Sequence, residues 1–254
     1  MSGKETEEYA IISSLEMMVE LGSKQEPETV VMSNIPKLDK ATEGFRPGEV
    51  IVISGPTKNG KTLFAQTLTK AFTEQNVFPL WFSFEVAPKY FLQAFPELPL
   101  FYLPRKLRMN AMDWVVKKCA ESHSLYHTNV IFIDHLHYLF DIARTRNPSI
   151  EIGTIIRTLK TVAVNQGYII FLLCHTKKGA SEIKEMSYEE IRDSSFVSQE
   201  SDCVMMIVRN HKNFDLNEAR LYVEFHRRTG VMHQTVDLVK VGGYLRPEEK
   251  GREG

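Results

Sequence analysis

The chain has 254 residues, 43 % of them hydrophobic, and a formal net charge of −1. That length and composition can bury a substantial core and predict one α/β domain with a short appendage. The near-zero charge excludes a global field drawing the molecule onto nucleic acid or membrane, so nucleic-acid contacts have to come from local basic loops.

Cys119, Cys174 and Cys203 sit in apolar segments without metal-type spacing and read as reduced core residues of an intracellular protein. Residues 1–8 are polar and acidic, which is not a signal-peptide pattern. No apolar run approaches the ~18 residues of a membrane span. The expected setting is cytoplasmic, with no membrane partner.

In chain order, residues 8–21 predict an amphipathic helix, with Ile11, Leu15 and Met18 on one face, Leu21 next in phase and Gly22 as its stop. A polar stretch over 22–33, containing Pro27, reads as a linker. The apolar stripe of such a helix needs a surface, either its own domain or a neighbouring subunit. Residues 1–33 are therefore set apart from a main domain over 34–246, and 247–254 from both as a frayed tail.

Residues 50–54 read as a buried strand, the helix after it runs from Lys61 to about Thr73, and 77–84 reads as a second strand. Residues 86–109 carry four prolines (Pro88, Pro96, Pro99, Pro104) and give no clear topology. A helix is predicted over 110–123, a strand over 129–134, a helix over 151–165 and a strand over 168–174. A polar stretch follows at 176–200, partly helical at 187–192. Strands are predicted over 203–208, 220–226 and 233–241. Alternating helices and fully apolar strands predict a mostly parallel twisted sheet covered on both faces, with ligands at the carboxyl ends of the strands.

Between the first strand and its helix stand Gly55, Pro56, Thr57, Lys58, Asn59, Gly60, Lys61 and Thr62. This is the G-x-x-x-x-G-K-[ST] phosphate loop, and strand and helix lie on the sides the motif requires. The glycines let successive backbone N–H groups turn inward on anionic oxygens, and the helix dipole adds to them. Lys61 can reach the outer phosphates of ATP or another NTP, and the Thr62 hydroxyl suits Mg²⁺.

Other strands end in Glu85, Asp134 and His175. Asp134 reads as a second Mg²⁺ holder, acting through water, or as an ordinary strand-end cap. Glu85 reads as the carboxylate that orients and deprotonates attacking water, or as a solvated side chain. His175 reads as a sensor of the γ-phosphate or as a structural histidine. Arg227 and Arg228 end a late strand beside the Gly230 turn, and a strand-end arginine there suits an arginine finger on a neighbour's nucleotide, or the two are a surface arginine pair. Arg144 and Arg146 form one basic loop. Lys177 and Lys178 begin a loop whose charges are otherwise mixed.

With these residues in place, the chain resembles the RecA-like ATPase domain of the DnaB-type ring helicases over about residues 34–246. The resemblance is carried by Ile35-Pro-Lys-Leu-Asp39 with Gly44-Phe-Arg-Pro-Gly48, Phe82-Ser-Phe-Glu85, Ile131-Phe-Ile-Asp134, Leu172-Leu-Cys-His175, and the stretch 193–209, which is its most specific part. It implies a hexameric ring that hydrolyses ATP or another NTP with Mg²⁺ at subunit interfaces. The ring would move along single-stranded DNA, with a primase or loader as possible partner. Lys61, Glu85, His175 and Arg227 would be catalytic, and Arg209 would lie near the base. Loops 143–149 and 176–186 would face the pore, and the 8–21 helix would dock on the next subunit.

Three departures stand out. Phe225 replaces a lysine two residues before the finger, which weakens the expected trans half of the site. His135 and His137 replace an aromatic residue and a glutamine after Asp134. No primase-type or scaffold domain stands before residue 34 in this sequence, so either a cut-down or a naturally minimal form is expected. A RecA-like, DNA-dependent ATPase without unwinding activity (recombinase, loader or regulator) stays open as the alternative, as does an assembly module that binds nucleotide without turning it over.

Overall fold

The structure, a computed structural model, describes residues 11–23, 29–140, 147–175, 197, 199–209 and 217–248. Its centre is an eight-stranded sheet among the described residues. The strands are β1 (Val50–Ser54), β2 (Leu80–Ser83), β3 (Val130–Asp134), β4 (Ile169–Leu173), β5 (Cys203–Arg209), β6 (Glu218–His226), β7 (Met232–Val241) and β8 (Tyr244–Pro247). Their spatial order is β2-β3-β4-β1-β5-β6-β7-β8. β2, β3, β4, β1 and β5 run parallel, and β6, β7 and β8 extend the sheet antiparallel. The expected fold class is the observed one.

Even the wholly apolar strands alternate between two cores, because successive side chains leave a strand on opposite faces. Ile51, Ile53, Trp81, Phe132 and Phe171 enter one core. Val50, Val52, Phe82, Ile131 and Ile133 enter the other. The helices are α1 (Ser14–Ser23), α2 (Pro36–Thr42), α3 (Lys61–Thr73), α4 (Pro88–Gln93), α5 (Met112–Tyr126) and α6 (Pro148–Gln166). α3 packs into the first core through Phe64, Leu68 and Phe72, and α6 into the second through Ile152, Ile156 and Leu159. No helix among the described residues is long and apolar enough to cross a membrane.

β1 and α6 are locked together at the amino end of the parallel strands. Lys160 Nζ lies 2.7–2.8 Å from both Asp202 carboxylate oxygens and 2.7 Å from the Gly48 carbonyl, and Val50 N–H donates to Asp202 Oδ2 at 2.8 Å. The buried Glu49 accepts from Arg228 Nε at 2.8 Å at the same edge.

Several boundaries differ from the sequence expectation. Residues 8–10 of the expected first helix lie outside the described residues, 11–13 are not helical, and α1 begins at Ser14, where Ser13 and Glu16 form a reciprocal capping box: Ser13 N–H donates to Glu16 Oε2 and Glu16 N–H to Ser13 Oγ. It also runs through Gly22 to Ser23, since glycine weakens a helix without blocking it. β2 starts at Leu80 instead of 77, because Pro79 has no N–H for the ladder. Within 86–109 the chain forms α4, with Pro88 in its first turn, and Tyr102 then bridges to Leu80. β8 was not expected at all. The helix expected at 187–192 lies outside the described residues.

Candidate phosphate-binding and hydrolytic site

Five parallel strands deliver the site to one edge of the sheet. β1 ends in the loop 55–60, and α3 begins at Lys61. Gly55 has φ 145°, and a Cβ placed on it would stand 2.2 Å from the Ile207 carbonyl oxygen of β5. The loop passes so close to β5 that only glycine fits there. Gly60 has φ 97° and opens α3 in a left-handed conformation. Asn59 Oδ1 accepts from Arg209 N–H at 2.8 Å, which ties the loop to the end of β5.

Lys61 Nζ donates to the carbonyls of Gly55 and Pro56, both at 2.9 Å. Burial holds its ammonium below the usual lysine range, and the carboxylates of Glu85 and Asp134 act in the other direction. A buried cation beside inward-turned backbone is suited to a phosphate. Thr62 Oγ1 donates to Asp134 Oδ2 at 2.8 Å, so the two expected Mg²⁺ residues, from α3 and β3, are in contact. Burial raises the Asp134 carboxyl to about 6. A hydroxyl beside a buried carboxylate is an oxygen donor set that fits a hard divalent cation.

Glu85 lies two residues beyond β2 and remains exposed. His175 lies two residues beyond β4, with Nε2 3.7 Å from Glu85 Oε2. Burial lowers the His175 imidazole to about 4, with Lys61 adding to the effect. Between them stands His135, directly after Asp134. Its ring centroid is 4.5 Å from that of His175, and burial lowers it to about 3. The sequence singles out His135 only as a departure; register adds it to the site, because it follows Asp134 on the strand between those carrying Glu85 and His175.

Gly55–Thr62, Glu85, Asp134, His175 and Arg209 are thus gathered at one edge of the sheet. Arg227 is not among them. It follows β6, whose direction is reversed, and its N–H donates to the Asp202 carbonyl at 2.7 Å. Asp202 stands beside Val50 at the start of β1, roughly 16 Å of strand away from the loop. The Arg227 guanidinium is exposed and donates to the Gln199 carbonyl at 2.7 Å. The neighbouring Arg228 is tied down by Glu49, Glu43 and two backbone carbonyls. Arg144, Arg146, Lys177 and Lys178 lie outside the described residues, as do most of the expected pore loops.

A family model described as DnaB-like helicase C terminal domain matches residues 92–244. The chain is 23 % identical over 216 residues to a probable replicative DNA helicase of Trieres chinensis, covering 71 % of this chain and 48 % of the relative. It is 22 % identical over 256 residues to the replicative DNA helicase DnaB of Leifsonia xyli subsp. xyli, covering 86 % and 55 %. The chain therefore spans about half the length of the curated relatives it matches. Among solved structures, an isolated ATPase domain superposes with TM-score 0.79 at 18 % identity, covering 94 % of this chain and 100 % of that one. A DnaB-like replicative helicase, described with its interactions with primase, gives 0.77 at 17 %, covering 96 % and 69 %. At such identities the structural likeness shows the fold, which reaches the phosphate loop and Glu85 upstream of the family match. That match takes in more than half of the chain, including β3 to β7 and the strand ends that carry Asp134, His175 and Arg209, and the chain belongs to the DnaB-like helicase C-terminal domain family.

Proposed function

We propose that this chain is the motor unit of a ring helicase, binding ATP or another NTP at the loop 55–62 and using its hydrolysis to move along single-stranded DNA. One observation carries the reading: Lys61, Thr62, Asp134, Glu85 and His175 converge on one sheet edge, while the exposed Arg227 stands at the other. Such a division gives each chain half of an interface site, so the active form is a closed homo-oligomer, a hexamer in this reading.

Lys61 and the loop N–H groups hold the phosphates, and Arg209 flanks them at the end of β5. Thr62 and Asp134 would hold Mg²⁺, which when bound neutralises charge on the β- and γ-phosphates. Glu85 orients water against the γ-phosphate and takes its proton. His175, 3.7 Å from Glu85, senses whether the γ-phosphate is present. Arg227 of a neighbouring copy stabilises charge in the transition state. The basic residues Arg144, Arg146, Lys177 and Lys178 are the proposed DNA contacts, and a primase or loader is the proposed partner. The 1–33 segment links neighbours in the ring, 34–246 is the motor, and the cytoplasm is where it works.

The test is nucleotide hydrolysis with and without single-stranded DNA. DNA should stimulate it, and Lys61→Ala should abolish it. Binding to the strand should weaken with salt, with a logarithmic slope of ~0.7 per phosphate neutralised. Hydrolysis that survives Lys61→Ala would refute the site. Hydrolysis indifferent to DNA would favour an ATPase that does not unwind.

A further inference from the structure

Among the described residues, three side chains with metal-ligating atoms converge: Glu85, His135 and His175, each offering one such atom within 4.8 Å of the other two. His175 Nε2 and Glu85 Oε2 are 3.7 Å apart. That is too long for a hydrogen bond. It is close to the ~3.4 Å ligand–ligand edge that follows from Zn–N and Zn–O bonds of about 2.0–2.2 Å in a tetrahedral site.

The protein leaves these rings open to a further ligand. Among the described residues, His175 Nδ1 is buried without a hydrogen-bond partner, and Nε2 faces the Glu85 carboxylate at 3.7 Å. His135 engages His137 through Nδ1, 3.4 Å from the His137 N–H and 3.2 Å from its ring nitrogen. Nε2 becomes the ligand atom when the His135 proton moves to Nδ1, where it donates to His137 Nδ1 as a metal-binding histidine donates to an outer partner. The Glu85 and His175 side chains are 37 % and 22 % exposed, so a cation and a water in the fourth position have a way in.

We infer that Glu85, His135 and His175 form a three-ligand site for a zinc-class transition cation. Two imidazoles and one carboxylate suit Zn²⁺ or Co²⁺, whereas Mg²⁺ prefers the oxygens of Thr62 and Asp134. The two sites share an edge of the sheet and differ in chemistry. Metal binding here is independent of the helicase reading. Its consequence rests on that reading: a cation on Glu85 occupies the carboxylate that orients water, so it inhibits hydrolysis.

Zn²⁺ alone, and Co²⁺ alone for its visible absorption, are titrated into the full chain without nucleotide or DNA. One Zn²⁺ should bind per chain, and Co²⁺ should give the intense visible band of a four-coordinate site. His135→Phe and His175→Gln should each weaken Zn²⁺ at least about 10–100-fold, the loss seen when even an outer partner is removed. His127→Asn, on the surface, should change nothing. Thermal melts establish that the variants fold, and the exposed Glu85→Gln supplies a third ligand deletion if the His135 variant does not. Wild-type affinity in the ligand variants, or no binding by the wild type, overturns the site. Binding without inhibition of hydrolysis leaves the metal site standing and removes Glu85 from the proposed reaction.

Discussion

A carboxylate that is 1 % exposed, as Asp134 is, has lost its water and gained one hydroxyl donor in return. Its pKa therefore rises from 3.8 to about 6. Between those two values the folded chain holds a proton that the unfolded chain has released, so stability falls as pH rises through the window. Above about pH 6 the full cost of the buried charge is present, of order 3 kcal/mol from the size of the shift. Asp134→Asn is therefore expected to raise the melting temperature at pH 7.5 while removing hydrolysis, and to lose its stabilising effect near pH 4. A thermal advantage equal at both pH values would show that the effect has another source. His135 and His175 act with the opposite sign. Their folded values of about 3 and 4 lie below the usual 6.5, so the stability they contribute is complete above pH 6.5 and is lost as the medium is acidified towards those values. His135→Phe should flatten the acid side of the stability profile. Gly55 makes a second point about single positions. Gly55→Ala would drive a Cβ into the Ile207 carbonyl at 2.2 Å, whereas the same change at Gly60 meets only Arg209 Nε at 3.8 Å and bears its φ of 97° alone. Gly55→Ala should reduce nucleotide affinity and melting temperature more than Gly60→Ala, measured by calorimetry on both variants.

Strand register turns aromatic residues into a ladder. Trp81 pairs with Phe132, and Phe132 with Phe171, across β2, β3 and β4. The rings stack at 4.6 and 4.7 Å with interplanar angles of 12° and 16°. Phe45 closes the row edge-on at 5.0 Å from Phe171, and Trp81 Nε1 donates to Thr69 Oγ1 of α3. The ladder holds the sheet edge that carries Glu85 and Asp134 against the helix that carries Lys61 and Thr62. Phe132→Ala, in the middle of it, is expected to cost about 3–5 kcal/mol in denaturant unfolding. A loss below about 1 kcal/mol would mean that the ladder relaxes without consequence. This layer also shows what was readable in advance. β2, β3 and β4 are buried along their whole length, so each reads as a short apolar run with a polar side chain at its end or within two residues of it, and Glu85, Asp134 and His175 follow from that pattern. β8 is four residues long and contains Arg246 and Pro247. It is a strand only because β7 offers it a partner, which no local pattern records. Arg227 and Arg228 are adjacent and chemically alike. Their difference lies in Glu49, Glu43 and the carbonyls of Thr42 and Gly44, all about 180 positions earlier, which bind the Arg228 guanidinium, whereas that of Arg227 meets the Gln199 carbonyl.

At the scale of the molecule, two features face outward among the described residues. α1 presents Leu15, Met18 and Val19 at 77, 68 and 72 % exposure, so its apolar stripe is not docked on the described part of its own domain. Arg227 is exposed at the sheet edge opposite the phosphate loop. Docking on the same domain and docking on a neighbour were equally open from the sequence; the exposed stripe and the distant arginine both favour the neighbour. A contact that repeats from copy to copy and closes is a ring. If Arg227 acts on the next copy's nucleotide, Arg227→Ala should lower turnover by ~10³ or more while leaving nucleotide affinity near wild type. Lys61→Ala should remove binding and turnover together. The two inactive variants then complement each other. In an equimolar mixture assembled at random, about a quarter of the interfaces join an intact loop from an Arg227→Ala copy to an intact arginine from a Lys61→Ala copy. Turnover in the mixture should rise far above that of either variant alone, in proportion to such interfaces. An arginine acting within its own chain forbids that recovery, because every chain in the mixture carries one lesion; a mixture no more active than the mean of its parts would place the catalytic arginine in cis and leave the ring without a chemical reason to form.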